Sequence, residues 1–127
     1  MDDRNLVAVA EQAAATSRVL DVPIAGCTVK GDDGRVFRGC LLQYEDSSLD
    51  QDPIANGIAA GRSEGMRRIA RIGYYSPTGG ELPKIPPPTL RRLRELAVPG
   101  MEIIFSPGTG ERVERALDDL LAEAGLA

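Results

Sequence analysis

Val22-Pro23-Ile24-Ala25-Gly26-Cys27-Thr28-Val29-Lys30 leads through Gly31-Asp32-Asp33-Gly34 into Arg35-Val36-Phe37-Arg38-Gly39-Cys40-Leu41-Leu42. Asp-Gly between two apolar-rich runs is among the strongest short-range hairpin signals, because the turn needs residues that tolerate positive φ. The segment therefore predicts two antiparallel strands. Gly26 and Gly39 inside them signal places where another backbone comes close.

Working outward, residues 3–18 read as a helix that Asp2 or Asp3 can cap, with Leu6, Val7, Ala10, Ala13 and Ala14 on one face. Residues 43–52 are polar and acidic and read as a loop. Asp52 before Pro53 is a helix start: a side-chain acceptor for free backbone N–H groups, then a proline at the first helical position. That helix is expected to run to about Gly65. Its Gly57, Gly61 and Gly65 form a bare stripe suited to helix-on-sheet or subunit packing. A third strand follows at Arg68–Ser76, then a loop over 77–88 that ends in Pro86-Pro87-Pro88. Thr89–Ala97 reads as a short helix with Leu90, Leu93 and Leu96 inward, and Pro99-Gly100 as a turn into a fourth strand, Met101–Ser106. After a turn at Pro107-Gly108-Thr109-Gly110, residues 111–124 read as an amphipathic helix on Val113, Leu117, Leu120 and Leu121. The expected order is α-β-β-α-β-α-β-α, an α/β chain.

Length sets one domain over residues 1–127. Aromatics make up only 4% and tryptophan is absent, so the core must be aliphatic. A net charge of −4 argues against a nucleic-acid-binding surface, since phosphate neutralisation requires surplus Lys and Arg. No apolar run is long enough to span a membrane. The start, Met1-Asp2-Asp3-Arg4, lacks the pattern of an export signal, so a cytoplasmic protein with Cys27 and Cys40 as free thiols is expected, although a bridge between neighbouring strands is conceivable. With no histidine at all, the usual Ser-His-Asp and Cys-His machinery is excluded.

Order and spacing together resemble the small nucleoside deaminases of the cytidine deaminase-like superfamily. That family has an F-P-V-G-A-A strand, a D-G-x-I-x-x-G-C hairpin, N-V-E-N, a helix beginning C-A-E and ending S-E-G, and a P-C-G-x-C-R-Q turn. Here Val22–Gly26 stands for the first, Asp33–Cys40 for the hairpin, and Ser63-Glu64-Gly65 for the helix end. The resemblance covers roughly residues 6–121 and implies a three-layer α-β-α sandwich around a central mixed sheet. It also implies a zinc site, which this chain does not reproduce. Asp52-Pro53-Ile54 falls where C-A-E is expected, putting Asp52 at the first ligand position and Ile54 at the proton-shuttling glutamate. Pro86 and Thr89 stand at the two thiolate positions, and Leu41-Leu42-Gln43-Tyr44 replaces the ribose-contacting N-V-E-N.

Zinc deamination needs a metal to acidify a water and a separate carboxylate to move its proton. A zinc site draws on thiolates and imidazoles, and neither remains here. No metal, no cofactor and no catalytic residue are therefore expected. The expectation is a zinc-less pseudoenzyme that binds a nucleoside-like or other small molecule, or that acts as a structural or regulatory subunit. A repurposed zinc-independent enzyme and a homo-oligomeric assembly module, dimer or tetramer as the resemblance implies, are the alternatives. Candidate residues of the relic pocket are Gln43, Asp52, Ile54, Tyr74, Tyr75, Lys84, Pro86 and Thr89, with Lys84 the one basic side chain beside the former metal position. Asp52 has a structural role ready as a helix cap. The acidic loop has oxygen donors but no calcium-loop spacing.

Overall fold

A computed structural model describes all of residues 1–127. The elements are α1 (Asp3–Ala14), β1 (Gly26–Gly31), β2 (Val36–Cys40), α2 (Pro53–Ser63), β3 (Ile69–Tyr75), α3 (Pro87–Leu96), β4 (Ala97–Ser106), β5 (Val113–Ala116) and α4 (Leu117–Glu123), with a short 3-10 turn at Ser47–Leu49. The sheet order is β2-β1-β3-β4-β5. Only β3 and β4 run parallel, so the sheet is mixed. No helix is long and apolar enough to cross a membrane.

Alternation of side chains along the strands divides the sheet into two apolar faces. Cys27, Val29, Ile72, Tyr74, Ile103 and Phe105 join Ile54 and Ile58 of α2, Leu90 and Leu93 of α3, and Leu117 and Leu121 of α4 in one 17-residue core cluster. On the opposite face lies α1, with Leu6, Ala10, Ala13 and Ala14 buried. The result is the expected three-layer α/β sandwich, one helix over one face and three over the other. Arg71 ties the single-helix face together. Its guanidinium takes both oxygens of Asp3 at 2.7 and 2.9 Å and reaches Glu114 at 3.3 Å and Glu102 at 3.6 Å.

Small residues set the spacing between layers. A Cβ on Gly26 would collide with the backbone of α1 at Ala10 and Ala14, and one on Gly39 with the backbone of α2 at Pro53 and Gly57. The glycine stripe of α2 is thus consumed inside the chain: Gly57 faces Val29 and Cys27, and Gly61 faces Met66 and Phe37. It is helix-on-sheet packing and not a subunit contact. Gly65 lies beyond the helix, at φ +90, where the chain turns.

Several expected boundaries move, each for a local reason. Instead of reaching residue 18, α1 stops at Ala14, and the Ser17 hydroxyl turns back to donate to the Ala25 carbonyl at 2.8 Å. β1 begins at Gly26, not Val22, and β2 ends at Cys40, after which Leu42 pairs with Gln51 through two backbone hydrogen bonds. Two prolines extend α3 back to Pro87, since their missing N–H groups are unneeded in a first turn. β4 starts at Ala97 and passes Pro99-Gly100 as a bulge: Ile69 pairs with Ala97 but Arg71 with Glu102. The largest departure is residues 111–124, expected as one helix. Val113–Ala116 instead forms β5, pairing Phe105 with Val113 and Ile103 with Arg115, and only Leu117–Glu123 is helical.

Gly39→Ala is expected to destabilise the fold by about 1–3 kcal/mol, the range for overpacking against atoms that cannot yield, read as a lower urea midpoint. Thr28 Oγ1 is buried with no partner. Thr28→Val, which keeps the shape and removes the orphaned hydroxyl, should raise the midpoint, by about 1 kcal/mol.

Candidate functional site

The N-termini of α2 and α3 meet at the end of the sheet where the parallel strands β3 and β4 finish. Asp52 caps α2. Its Oδ1 accepts from the N–H of Ile54 at 3.0 Å and of Ala55 at 3.1 Å. Its other oxygen, Oδ2, accepts the hydroxyl proton of Thr89 at 2.6 Å. Thr89 lies in the first turn of α3, is fully buried, and accepts in turn from Arg92 at 3.4 Å. One carboxylate thus joins two helices that lie 37 residues apart in the chain. Both its oxygens are engaged.

Beneath this junction the surroundings are apolar. Ile54 is fully buried in the core. The Cys27 thiol donates to the Pro53 carbonyl at 3.1 Å. Burial, reinforced by the negative charge of Asp52, pushes that thiol far above its ordinary range, so Cys27 stays protonated. Burial likewise pushes the Tyr74 hydroxyl up, with Cys27 and Asp52 adding to it. Tyr74 packs its ring 5.6 Å from that of Phe105. Both cysteines are free thiols.

Of the eight residues singled out in the sequence, Asp52, Ile54 and Thr89 do converge. Pro86 caps the helix that carries Thr89, and Tyr74 lies near enough to feel the Asp52 charge, whereas Gln43, Tyr75 and Lys84 lie elsewhere. Gln43 is spent on a loop: its Oε1 accepts from Leu20 N at 2.8 Å and its Nε2 donates to Asp21 at 3.2 Å. Tyr74 is core, not the mouth of a pocket, and alternation sends half-buried Tyr75 to the α1 face. Lys84 and Pro86 line a cavity of about 610 Å³ between the 82–87 loop, α3, β4, β5 and α4. Asp52, Ile54 and Thr89 do not border it. In the acidic loop, Asp46 caps the 3-10 turn through Ser48, and Asp50 accepts from Tyr44 N at 2.9 Å.

Zinc does not fit this donor set. No three His, Cys, Asp or Glu side chains lie close enough to hold a metal ion. Pro86 offers no side-chain donor, Thr89 offers a hydroxyl already committed to Asp52, and the Asp52 oxygens are taken by three hydrogen bonds. Sequence reasoning missed Arg115 and Glu123, which face the cavity as an ion pair at 2.6 Å. The signal for Arg115 was the alternation Val113-Glu114-Arg115-Ala116, which is too short to stand out from the helical pattern that follows.

A mixed sheet with two helix N-termini meeting beyond its parallel strands defines a class of α/β protein, and solved structures identify which. The fold matches cytidine deaminase from Burkholderia pseudomallei with a TM-score of 0.85 at 20% identity, covering 94% of this chain and 96% of that one. It matches cytidine deaminase from Mycobacterium tuberculosis with a TM-score of 0.78 at 27% identity, covering 95% and 94%. For the Mycobacterium leprae enzyme the values are 0.79 at 20%, covering 95% and 98%. The chain has the fold of the cytidine deaminases. No protein-family model matches the sequence, and no curated protein does either.

Asp52→Ala removes the cap and strands the buried Thr89 hydroxyl, and should cost about 2–3 kcal/mol in urea unfolding. Thr89→Val should cost about 1–2 kcal/mol, because Oδ2 loses its partner, while Thr89→Ser should stay close to the parent. A Thr89→Val variant as stable as the parent would contradict the role given to this bond.

Proposed function

We propose that this chain is a zinc-less, non-catalytic protein on the cytidine deaminase-like fold, serving as a small-molecule-binding or regulatory subunit. The observation that carries the reading is the Asp52–Thr89 hydrogen bond at 2.6 Å. It occupies the junction where the family resemblance calls for a metal. Two helix N-termini that a zinc would link are linked here by a carboxylate and a hydroxyl. Ile54 stands at the glutamate position and both oxygens of Asp52 are engaged, so the junction offers no free carboxylate as a proton relay, whereas deamination requires both a metal-bound water and that relay. Gln43, at the ribose-contact segment, is held by Leu20 and Asp21, which weighs against retained nucleoside affinity.

The repurposed-enzyme reading has less support. Lys84 is exposed, so it lacks the desolvated setting that activates a lysine amine. The assembly reading loses the glycine stripe as its argument, since Gly57 and Gly61 are covered within the chain. A homo-oligomer, dimer or tetramer, and a cytoplasmic location remain part of the proposal by the family resemblance and the reduced thiols.

Purified after growth with zinc supplied, the protein should contain well under one zinc per chain by elemental analysis and release no ammonia from cytidine or deoxycytidine. The triple variant Asp52→Cys, Pro86→Cys, Thr89→Cys should acquire about one zinc per chain, since three thiolates plus water complete a tetrahedral site. One tightly held zinc in the parent, or measurable cytidine turnover, would overturn the reading.

A further inference from the structure

The cavity between α3 and α4 stands apart from the Asp52–Thr89 junction and has the make-up of a ligand site. Its volume of about 610 Å³ falls within the ordinary size of small-molecule pockets, roughly 300–1,000 Å³. The walls are apolar: Leu82 and Ile85 from the loop, Leu90 of α3, Phe105 of β4 and Leu120 of α4. Its charged groups are few. Arg115 gives one guanidinium nitrogen to Glu123 at 2.6 Å, and its remaining N–H donors have no partner in the chain. Lys84, exposed at the rim, makes no ion pair or hydrogen bond. Two cations against one carboxylate leave a net positive charge over an apolar floor.

The start of α3 does not supply that charge recognition. A helix N-terminus ordinarily presents free N–H groups to an anion. At α3, Pro86, Pro87 and Pro88 carry none, and the N–H groups of Thr89 and Leu90 both donate to the Pro86 carbonyl, at 2.9 and 3.0 Å. The positive charge that faces an acidic ligand group comes from the Lys84 and Arg115 side chains. A nucleoside suits the cavity less well, because its sugar and base edge need more polar partners than the three that Lys84, Arg115 and Glu123 supply.

We propose that this cavity binds a small organic acid with an aromatic or branched apolar body, its carboxylate held by Lys84 and Arg115. The site does not depend on the state of the metal junction: zinc content reads one, and ligand titration reads the other.

The test is calorimetric titration of the full chain with naphthaleneacetate and, as the uncharged counterpart, naphthaleneacetamide. The acid should bind with one site per chain and more tightly than the amide. Lys84→Ala should weaken the acid about fivefold, the scale of an exposed charge contact, and leave the amide unchanged. Ala124→Trp, at the exposed rim, should abolish binding of both without lowering the melting temperature. Absence of acid binding up to the solubility limit, or undiminished binding to Ala124→Trp, would overturn the assignment. So would equal affinity for acid and amide. Gel filtration of Ala124→Trp closes the remaining route: a change in oligomeric size would mean that a second copy covers the cavity, which also overturns the proposal.

Discussion

Asp52 holds three donors with one carboxylate: two backbone N–H groups at the start of α2 and the Thr89 hydroxyl at the start of α3. Charge-assisted bonds of this kind are worth roughly 1.5–3 kcal/mol each when they replace water. Their effect here is geometric as well as energetic. The two helices leave the same end of the sheet but are separated in sequence by β3 and a loop rich in proline. Without a link at their N-termini, the apolar stripes of α2 and α3 would still cover the sheet, but nothing polar would fix the angle between the helix starts. Thr89, like Ile54 and Cys27, is fully buried, so water cannot readily replace the Asp52 oxygen as the partner of its hydroxyl.

That arrangement illustrates how a fold and a reaction can be held by different atoms. A metal at such a junction supplies charge, acidity and cross-linking at once. A carboxylate–hydroxyl pair supplies only the cross-link. The surrounding packing has no need to change, because the glycine contacts at Gly26, Gly39 and Gly57 that set the layer spacing are independent of what occupies the junction. Fold likeness across nearly the full chain at 20–27% identity shows this packing held under extensive change of sequence.

Much of the architecture was legible in the sequence because its signals are local. Asp33-Gly34 fixes the hairpin, and Asp52-Pro53 fixes the start of α2 to the residue. Gly26 and Gly39 foretold backbone contacts that the structure contains. What was illegible depends on partners far away in the chain. Val113–Ala116 has no strand identity of its own; it becomes β5 because the edge of β4 is open beside it. Tyr74 reads as a mouth residue until Phe105 is seen against it. At the site, Asp52 was readable as a cap, but its bond to Thr89 was not, since no local pattern pairs residues from two separate helices. Lys84 was readable as a lone cation, whereas the cavity it borders needed Arg115 and α4 to exist.

The Arg71 guanidinium carries a consequence for how the molecule is built. Its best partner, Asp3, begins the first helix, while Glu102 and Glu114 belong to strands near the other end. Leu6 of that helix rests on Gly73, also in β3. The first helix can pack on Gly26 of the nearby hairpin over a short stretch of chain, but its ion pair with Arg71 joins residues 68 positions apart and must await the closure of a much longer loop. That helix is placed by near neighbours and locked by a distant one.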